Sequence, residues 1–442
     1  MQQRIEILYG RGTLGVRLPE GARPTVIRKS ALPKIDDQQE AVRRALAEPV
    51  GCAPLADLAR GRASACIVIC DITRPVPNRL FLRPLIETMV ESGIPLEGIT
   101  VLVACGLHRA GDDAEMAELI GDEWVGRHVR TIWHDARDDD ALVDLGPTPT
   151  RGTPVVLNRA FVEADLRVAT GLVEPHFMAG WSGGRKVVAP GVAGQATIRT
   201  FHSARFMEDP AAVQCNLVGN PLHEEQLQIV AKLGEVYALN TVIDEERDLN
   251  FVNFGEIDQS HLEAVEVVRR VARVPVGRRF PVVVTSAAGY PLDKTYYQTV
   301  KGMVTPMDIV EPGGTILIAS ACSEGFGSAE FREAQRRLVS LGTDGFLASI
   351  VDEPLARIDE WQTEMQLKPM RRGSIELFTD GLDADERADT AVTCVDDLDA
   401  AVAAAMARAG SPEVAVIPEG PYLIPVAAPG AEGGDAGVHG SD

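Results

Sequence analysis

The sequence lacks the marks of several protein classes. None of its seven cysteines forms a CxxC pair, and Cys66 and Cys70 lie in the apolar run ACIVIC, which favours reduced cysteines acting as small apolar side chains. No run approaches about 18 unbroken apolar residues, so no membrane span is predicted. The HExxH and CxxC…CxxC zinc patterns and the P-loop GxxxxGK[ST] are also missing. These absences argue against a disulfide-rich, membrane-spanning or P-loop protein.

Positive charge is also scarce. There are 43 Lys and Arg residues against 64 Asp and Glu residues, and the formal net charge is −21. This balance argues against nucleic acid or an anionic membrane as the main partner, although a local basic pocket can still bind a small anion. The N-terminal stretch mixes polar and apolar residues, unlike a signal or transit peptide. We therefore expect a cytoplasmic protein.

Short apolar runs alternate with segments of helical period along most of the 442 residues. This alternation predicts two α/β domains with largely parallel sheets and an active-site cleft between the domains. The predicted domains are residues 1–275 and 276–395, and whether residues 396–428 complete the first domain is left open. Residues 429–442 are small, polar and acidic, which predicts a disordered tail. The N-terminal run RIEILYGRGTLGVRLP predicts a β-hairpin.

Reactive residue types follow three of the predicted strands. The string DITRPVP places Asp71, Thr73 and Arg74 after one strand, CGLHR places His108 after the next, and EPHF places His176 after a third. Ligands of open α/β sheets bind beyond the carboxyl ends of the strands, so we expect these residues to share one site. The planar guanidinium of Arg74 suits a carboxylate or phosphate, and Asp71 can orient it.

Each of these residues also fits a structural role. Asp71 is alternatively the N-terminal cap of a helix whose first turn contains Pro75 and Pro77. An imidazole with a pKa of about 6.5 gives or takes a proton near neutral pH. Two of them, His108 and His176, on opposite walls of a pocket suit a racemase or epimerase, which must act on either face of a carbon. Structural histidines are the alternative.

The stretch EPHFMAGWSGGRKVVAPGVAG is rich in glycine and contains Lys186. Glycines permit turns and close approach to a ligand, and a lysine on such a loop is a nucleophile if burial or the neighbouring Arg185 lowers its pKa. A solvated surface lysine is the alternative. His202 follows in TIRTFHSARF and is a candidate metal ligand. Its spacing from His176 matches no compact zinc pattern, which leaves open a metal carried by an organic cofactor.

A further candidate segment, AAGYPLDKTYYQTVKG, follows a predicted strand of the second domain and enters a helix. Tyr297 and Lys301 are four residues apart and share a helix face. Lys301 can supply a positive charge for a substrate carboxylate. Tyr297 fits a pocket wall and core packing equally well.

Five motifs taken together resemble one family. DITR, CGLHR, EPHFMAGWSGGRK, TFHSARF and YYQTVKG have the order and spacing of the nickel-pincer nucleotide-dependent lactate racemases over residues 1–400. The resemblance implies an isomerase that inverts C2 of a 2-hydroxy acid by hydride transfer to the cofactor and back, through a 2-keto acid. The implied cofactor is a nickel-bearing pyridinium mononucleotide with two sulfur arms, and proteins of cofactor synthesis are expected partners.

The same resemblance implies a role for each candidate residue. Lys186 would hold the cofactor covalently through a thioamide, and His202 would bind the nickel. His108 and His176 would be the paired acid/base residues. Contact with the cofactor would also involve Asp71, Ile72, Thr73 and Arg74. Substrate binding would involve Arg74, Tyr297, Gln298, Lys301 and Trp361.

The resemblance leaves the substrate open. Lactate, the diacid malate and a longer sugar acid (an aldonate) epimerised at C2 would all use the same core. A metal-dependent hydrolase with His108, His176 and His202 as ligands is a rival of another class, and it would need zinc but not Lys186. A nucleotide-binding or cofactor-carrier protein is a non-enzymatic rival.

Overall fold

The short apolar runs of the sequence form the inner strands of two sheets. The computed structural model describes residues 3–244 and 246–427. The strands of this part are β1 (Arg4–Tyr9), β2 (Gly12–Arg17), β3 (Arg23–Val26), β4 (Ala65–Cys70), β5 (Ile99–Ala104), β6 (Arg130–Trp133), β7 (Leu142–Pro147), β8 (Pro154–Asn158), β9 (Leu166–Leu172), β10 (Pro175–His176), β11 (Gly180–Trp181), β12 (Tyr237–Ile243), β13 (Leu249–Glu256), β14 (Arg273–Val276), β15 (Phe280–Ser286), β16 (Val310–Ala319), β17 (Gly373–Phe378), β18 (Thr393–Val395), β19 (Glu413–Ile417) and β20 (Ile424–Ala427). The helices are α1 (Gln38–Ala47), α2 (Leu55–Ala59), α3 (Asn78–Glu91), α4 (Asp113–Ile120), α5 (Glu123–His128), α6 (Arg159–Glu163), α7 (Arg185–Val188), α8 (Gln195–Phe201), α9 (Ala204–Met207), α10 (Pro221–Ala231), α11 (Ile257–Ala272), α12 (Tyr296–Val304), α13 (Ala329–Ala348), α14 (Glu360–Arg372), α15 (Ala384–Asp389) and α16 (Leu398–Ala409).

The first compact unit comprises residues 30–272 and 344–364. Its six-stranded sheet has the order β13-β12-β9-β4-β5-β6, and its strands are parallel except β13, which pairs antiparallel with β12. The first five residues of β4 are fully buried, as expected for a parallel strand covered on both faces. On α3, Phe81, Leu85 and Met89 recur at helical spacing and belong to the same apolar core as β4 and β5.

The second compact unit comprises the described parts of residues 1–29, 273–343 and 365–442. Its sheet has the order β18-β17-β16-β15-β19-β3, and every neighbouring pair is parallel. Val282 and Val284 of β15 share a core with Leu398 and Val402 of α16. The predicted hairpin is present as the antiparallel pair β1 and β2. Both units therefore confirm the predicted α/β class with largely parallel sheets.

The predicted division of the chain differs from these units in three stretches. Residues 3–29 and 273–275 lie in the second unit, and residues 344–364 lie in the first. Residues 396–427, whose domain the sequence left open, also lie in the second unit. The physical reason for residues 3–29 and 396–427 is strand pairing: β19 pairs with β15 on one side and with β3 on the other. Residues 396–427 thus do not complete the N-terminal domain. The predicted disordered tail, residues 429–442, lies outside the described residues.

Two expectations from composition can be compared with the structure. All seven cysteines are free, and Cys66, Cys105 and Cys322 are buried. Cys105 belongs to the apolar core of the first unit, as predicted for a small apolar side chain, whereas Cys322 contacts the hydroxyl groups of Ser320 and Thr299. Among the described residues, no helix combines the length and apolar character needed to cross a bilayer.

Candidate active site

The three strands that carry the predicted reactive residues are neighbours in the first unit. β9 and β5 flank β4, and all three run parallel, so their carboxyl ends meet at one edge. Asp71 follows β4, His108 follows β5, and His176 follows β9. The chain goes from β4 to β5 on one side, while β9 and β12 lie on the other. This reversal of strand order is where open α/β sheets bind ligands.

Asp71 contacts His108 and Thr73. The carboxylate oxygen Oδ2 lies 2.7 Å from His108 Nδ1, and Oδ1 accepts a hydrogen bond of 2.5 Å from the Thr73 hydroxyl. Burial alone would raise the pKa of the Asp71 carboxyl, but the charge and hydrogen bond of His108, with the Thr73 hydrogen bond, bring it below its usual value. The helix-cap alternative for Asp71 is wrong, because α3 begins at Asn78 and its cap position is Pro77.

Arg74 has a carboxylate partner that the sequence analysis did not assign. Its Nη1 donates to Oε1 of Glu174 at 2.7 Å, and both side chains are largely buried. Glu174 follows β9 and therefore lies at the same sheet edge as His176. Glu174 precedes His176 by two residues, so the rule that ligands bind beyond the carboxyl ends of strands could have predicted it as well. Glu174, and not Asp71 as predicted, is the carboxylate that orients the Arg74 guanidinium. Ile72, between Asp71 and Thr73, is partly buried and packs against the apolar core.

His176 is buried and held by its own turn. It pairs with Gly180 in the antiparallel contact of β10 and β11. The tight turn between them directs two backbone amides at the ring: the N–H groups of Ala179 and Met178 donate to Nδ1 at 3.2 and 3.4 Å. Two backbone amides therefore help to hold the ring at this nitrogen.

The glycine-rich loop is tied to β9 and leads into the short helix α7. The Ser182 hydroxyl donates to the carbonyl oxygen of Leu172 at 2.7 Å and accepts from the Glu174 amide at 3.0 Å. Gly183 and Gly184 have φ values of +74° and +49°, which side chains rarely adopt. A Cβ at Gly184 would also lie 2.8 Å from the His261 side chain. Glycine is therefore required where the loop turns toward Lys186.

Lys186 lies on α7 beside two other cations. Burial, with the charges of Arg74 and Arg185, lowers the pKa of its amine to about 7. No ion pair with a carboxylate holds this amine among the residues that the structure describes. Arg185 is fully buried and donates to the carbonyl oxygens of Trp181 and Ala179 at 3.0 and 2.9 Å. The alternative of a solvated surface lysine does not fit these surroundings.

His202 follows α8 and is buried against two aromatic rings, Phe201 at 4.5 Å and Trp361 at 4.8 Å between ring centres. Its Nδ1 lies 2.8 Å from the carbonyl oxygen of Ile198, so Nδ1 carries the hydrogen and Nε2 keeps its lone pair. Burial, with a smaller contribution from the Lys186 charge, lowers the pKa of this imidazole to about 3. A neutral imidazole oriented by a carbonyl is the usual state of a histidine metal ligand.

The three imidazoles of the rival hydrolase do not form a metal site. In residues 3–244 and 246–427, the group of acidic and His or Cys side chains close enough to share an ion is Asp244, Glu246 and Asp248, with ligand atoms within 4.8 Å. This acidic group already pairs with the ammonium of Lys34. A hydrolase that requires His108, His176 and His202 around one zinc ion is not supported.

The remaining candidate residues lie in the second unit, on α12. The Lys301 ammonium donates to the Gln298 side-chain oxygen at 2.6 Å. Tyr297 is half-buried and packs edge-on against Phe331, with 5.1 Å between ring centres. The hydroxyl of Thr295 caps the helix by accepting from the Gln298 amide. Lys301 and Gln298 thus form one polar pair of partly buried side chains on α12.

Comparison with known proteins identifies the family of this chain. The lactate racemase N-terminal domain matches residues 9–214, and the lactate racemase C-terminal domain matches residues 278–424. A lactate racemase of Thermoanaerobacterium thermosaccharolyticum is 31% identical over 433 residues, which cover 95% of this chain and 98% of that protein. The chain belongs to the lactate racemase family. As a member of this family, it is an isomerase of the racemase type.

One further relative and one solved structure support the same conclusion. A lactate racemase of Lactiplantibacillus plantarum is 30% identical over 391 residues, with 88% of this chain and 91% of that protein covered. The structure of the lactate racemase apoprotein from Thermoanaerobacterium thermosaccharolyticum superposes with a TM-score of 0.87 at 30% identity, covering 96% of this chain and all of that one. The fold is therefore that of the lactate racemase family along almost the whole chain.

Proposed function

We propose that this isomerase inverts C2 of a 2-hydroxy acid with a nickel-pincer nucleotide attached at Lys186. One observation carries the proposal: the Lys186 amine, with a pKa of about 7, lies close enough to His202 to affect its pKa, and the His202 imidazole is fixed as a lone-pair donor. A nucleophilic amine and a neutral metal-ligating imidazole are the two protein groups that such a cofactor requires.

The residues of the first unit fit the proposed cofactor. Lys186 would form the covalent bond, His202 Nε2 would bind the nickel, and the segment Asp71–Arg74 at the end of β4 would line the site. The tight turn at Gly183 and Gly184 leaves no side chain between the loop and His261, which keeps α7 close to the sheet edge. When bound, the nickel-pincer nucleotide supplies the acceptor and donor for the C2 hydrogen with its electron pair.

His108 and His176 are the proposed acid/base pair. Each would exchange the proton of the 2-hydroxyl group, one on each face of the substrate carbon. His108 is supported by the Asp71 carboxylate, and His176 by the amides of Met178 and Ala179. Neither imidazole needs the cofactor for its orientation, because its partners belong to the protein.

Substrate binding is assigned by the same proposal to cationic and aromatic residues. Arg74 is held by Glu174 and offers its remaining N–H groups to a carboxylate. Trp361 packs on His202 and would form an apolar wall next to the metal ligand. The other proposed substrate-binding residues are Tyr297, Gln298 and Lys301.

Lactate is the first substrate to test, since the named relatives are lactate racemases. Malate and aldonates present the same carboxylate, hydroxyl and hydrogen at C2, and they stay alternatives. Proteins that synthesise the cofactor are the expected partners, because a polypeptide does not itself supply nickel or a pyridinium ring. The cytoplasmic location stays a prediction from the sequence.

The test is turnover by protein produced together with the cofactor-synthesis proteins. Single enantiomers of lactate, malate and C2-epimeric aldonates are offered, and the product is separated by chiral chromatography. We expect conversion to the opposite configuration at C2, and deuterium placed at C2 should be retained in the product. Protein produced without the synthesis proteins should be folded and inactive.

Two outcomes contradict the proposal. One is full-rate interconversion by protein that contains no nickel. The other is loss of the C2 deuterium to solvent in every turnover, which would indicate removal of a proton rather than transfer of the hydrogen with its electron pair.

A further inference from the structure

The guanidinium of Arg185 is fully buried next to Lys186, at the start of α7. We propose that Arg185 is a positioning residue, which bridges the carbonyl oxygens of Ala179 and Trp181 and thereby fixes Lys186 relative to the hairpin of β10 and β11. The inference rests on the proposed function, in which Lys186 attaches the cofactor. It adds a residue that acts on the attachment point through the backbone alone.

The bridge consists of two hydrogen bonds from one side chain. Nη2 of Arg185 donates to the Ala179 oxygen at 2.9 Å, and Nη1 donates to the Trp181 oxygen at 3.0 Å. Nη1 also lies 2.9 Å from Nε2 of His261 on α11. Both carbonyl groups belong to the hairpin, whereas Arg185 is the first residue of α7. Because the guanidinium is planar and its Nη groups point in fixed directions, this side chain joins the two ends of residues 180–184.

The surroundings of Arg185 indicate why a charged residue is present here. Burial lowers the pKa of the guanidinium to about 9, so the group is still charged at neutral pH. The charge of Asp258 offsets part of this effect, but among the described residues no carboxylate forms an ion pair with Arg185. Burying a charge is unfavourable unless hydrogen bonds compensate for it. The bonds to the two carbonyl oxygens are therefore the contribution that an apolar side chain could not make.

The segment that carries Lys186 has little stiffness of its own. Gly180, Gly183 and Gly184 have positive φ values, and glycine loses more conformational entropy than other residues when it is ordered. The helix α7 has four residues, about one turn, and so short a helix is not stable without tertiary contacts. The position of Lys186 therefore depends on bonds that cross the segment, such as those of Arg185.

The bridge affects Lys186 without any contact between the two side chains. Consecutive residues of a helix point in different directions. The Arg185 side chain points toward the hairpin, whereas the half-buried Lys186 lies near the charges of Arg74 and Glu174. Loss of the bridge should let the amine move away from Arg74 while the substrate-binding groups stay in place. We therefore expect slower cofactor attachment and a lower kcat, with an unchanged KM.

Hydrogen exchange of the cofactor-free full chain, followed by mass spectrometry of its peptides, tests the bridge. The backbone amides of Ser182, Lys186 and Val187 donate to carbonyl groups in or beside the segment, so their exchange measures its local opening. In Arg185→Lys, we expect these amides to exchange at least about tenfold faster, because hydrogen bonds from a charged donor are lost. The ammonium group keeps the charge but cannot reproduce the planar fork.

Arg167→Lys is the matched control. Arg167 lies at the amino end of β9 in the same unit, and its guanidinium donates to the carbonyl oxygens of Phe161 and Val162 at 3.0 and 2.7 Å. This control loses the same kind of bridge at a place away from Lys186. Both variants should lower Tm, but only Arg185→Lys should accelerate exchange in residues 180–188.

Protein produced with the cofactor-synthesis proteins tests the consequence for Lys186. Intact mass should show the covalent adduct in about tenfold fewer chains of Arg185→Lys than of wild type, and in an unchanged share of Arg167→Lys chains. For the loaded chains of Arg185→Lys, kcat should fall while KM for the 2-hydroxy acid stays unchanged. A raised KM with unchanged kcat would indicate a substrate contact and would overturn the positioning role.

Wild type gives a result that does not depend on the folding of any variant. Its amides in residues 182–187 should exchange as slowly as those of β9, and exchange at the rate of an exposed loop overturns the inference. Unchanged exchange or an unchanged adduct in Arg185→Lys also overturns it, as does equal acceleration in Arg167→Lys. If wild type forms no adduct and converts no 2-hydroxy acid, the proposed function fails, while the exchange rates still decide whether Arg185 fixes the segment.

Discussion

At the carboxyl edge of the second sheet, the buried Asp293 accepts hydrogen bonds from the backbone amides of Gly10 and Ala321, at 2.6 and 3.2 Å. At the carboxyl edge of the first sheet, Lys186 has no ion pair and His202 Nε2 has no hydrogen-bond partner among the described residues. Both edges end parallel strands, and both carry polar side chains. The first leaves the Lys186 amine and His202 Nε2 without such partners, whereas Asp293 at the second uses Oδ2 to fix two loops, although its buried Oδ1 has no hydrogen-bond partner among the described residues.

The difference shows that position at a sheet edge does not by itself indicate a reactive residue. Ser286, Ser320 and Thr299 also lie at the second edge or beside it, but Ser286 bonds to the Pro418 carbonyl and Thr299 to Ser320, at 2.9 and 2.6 Å. These hydroxyl groups form hydrogen bonds with other groups of the protein. At the first edge, burial and the charges of Arg74 and Arg185 lower the pKa of Lys186, whose amine has no ion pair among the described residues.

The largest effect is expected for Lys186→Ala, which removes the reactive amine of the first edge. Intact mass of protein produced with the cofactor-synthesis proteins should show no covalent adduct, and turnover should fall by more than about 10³-fold because the tethering nucleophile is gone. Lys232→Ala is the matched control, since the Lys232 amine donates to a backbone carbonyl on the surface of the same unit. An adduct of unchanged mass in Lys186→Ala would contradict the assignment.

The pKa of Lys186 gives a second way to test the comparison. An amine with a pKa of about 7 is protonated below that pH and half neutral at it, whereas an ordinary lysine with a pKa of about 10.4 is almost fully protonated at pH 7. In cofactor-free protein, acylation of Lys186 should therefore rise to half of its maximum near pH 7. At that pH the neutral fraction of the Lys186 amine exceeds that of a surface lysine by about 10³-fold. Peptide mass mapping after brief labelling measures this. Half-maximal labelling near pH 10 would show that the Lys186 amine has the pKa of an ordinary lysine, and it would contradict the difference between the two edges.

His202→Ala removes the lone-pair donor of the first edge. Nickel bound per chain, measured by elemental analysis, should fall at least about tenfold, because a single protein nitrogen is proposed to hold the metal. The control is His128→Ala, an exposed histidine on α5 whose Nδ1 contacts a backbone carbonyl. Equal nickel content in both variants would remove His202 from the proposed metal site.

Glu174→Gln tests whether the carboxylate that holds Arg74 contributes to the first edge. The variant keeps an acceptor of the same shape but loses the charge of a largely buried pair, so kcat/KM should fall about tenfold, or about 1.4 kcal/mol. Steady-state kinetics with loaded protein measure this effect. An unchanged value would mean that Arg74 does not need this partner.

Asp293→Asn should have its effect on stability alone. Replacing the buried acceptor of two amides weakens both hydrogen bonds, and we expect Tm to fall by about 5 °C in a thermal unfolding scan. The covalent adduct at Lys186 should still form. Asp385→Asn, at an exposed position on α15, is the control. Loss of the adduct in Asp293→Asn would show that the second edge also contributes to the chemistry.

Much of the site could be predicted because its signals are local. The apolar runs before Asp71, His108 and His176 identify three buried strands, and the rule for parallel sheets places their following residues at one edge. The partners of these residues could not be predicted in this way. Asp71 was expected to orient Arg74, its near neighbour in sequence, but contacts His108, which is 37 residues away. Arg74 contacts Glu174, 100 residues away.

The sequence by itself determined the α/β class, the segments that become strands and the residue types at their ends, because periodicity and turn chemistry act over a few neighbouring residues. Only the tertiary structure decided that β19 joins β15 and β3, that Asp71 faces His108, and that Lys186 is half-buried beside Arg74 and Arg185. Strand order, burial and hydrogen-bond partners arise from contacts between residues far apart in the chain. The tautomers and pKa values of a site follow from those contacts and not from the residues alone.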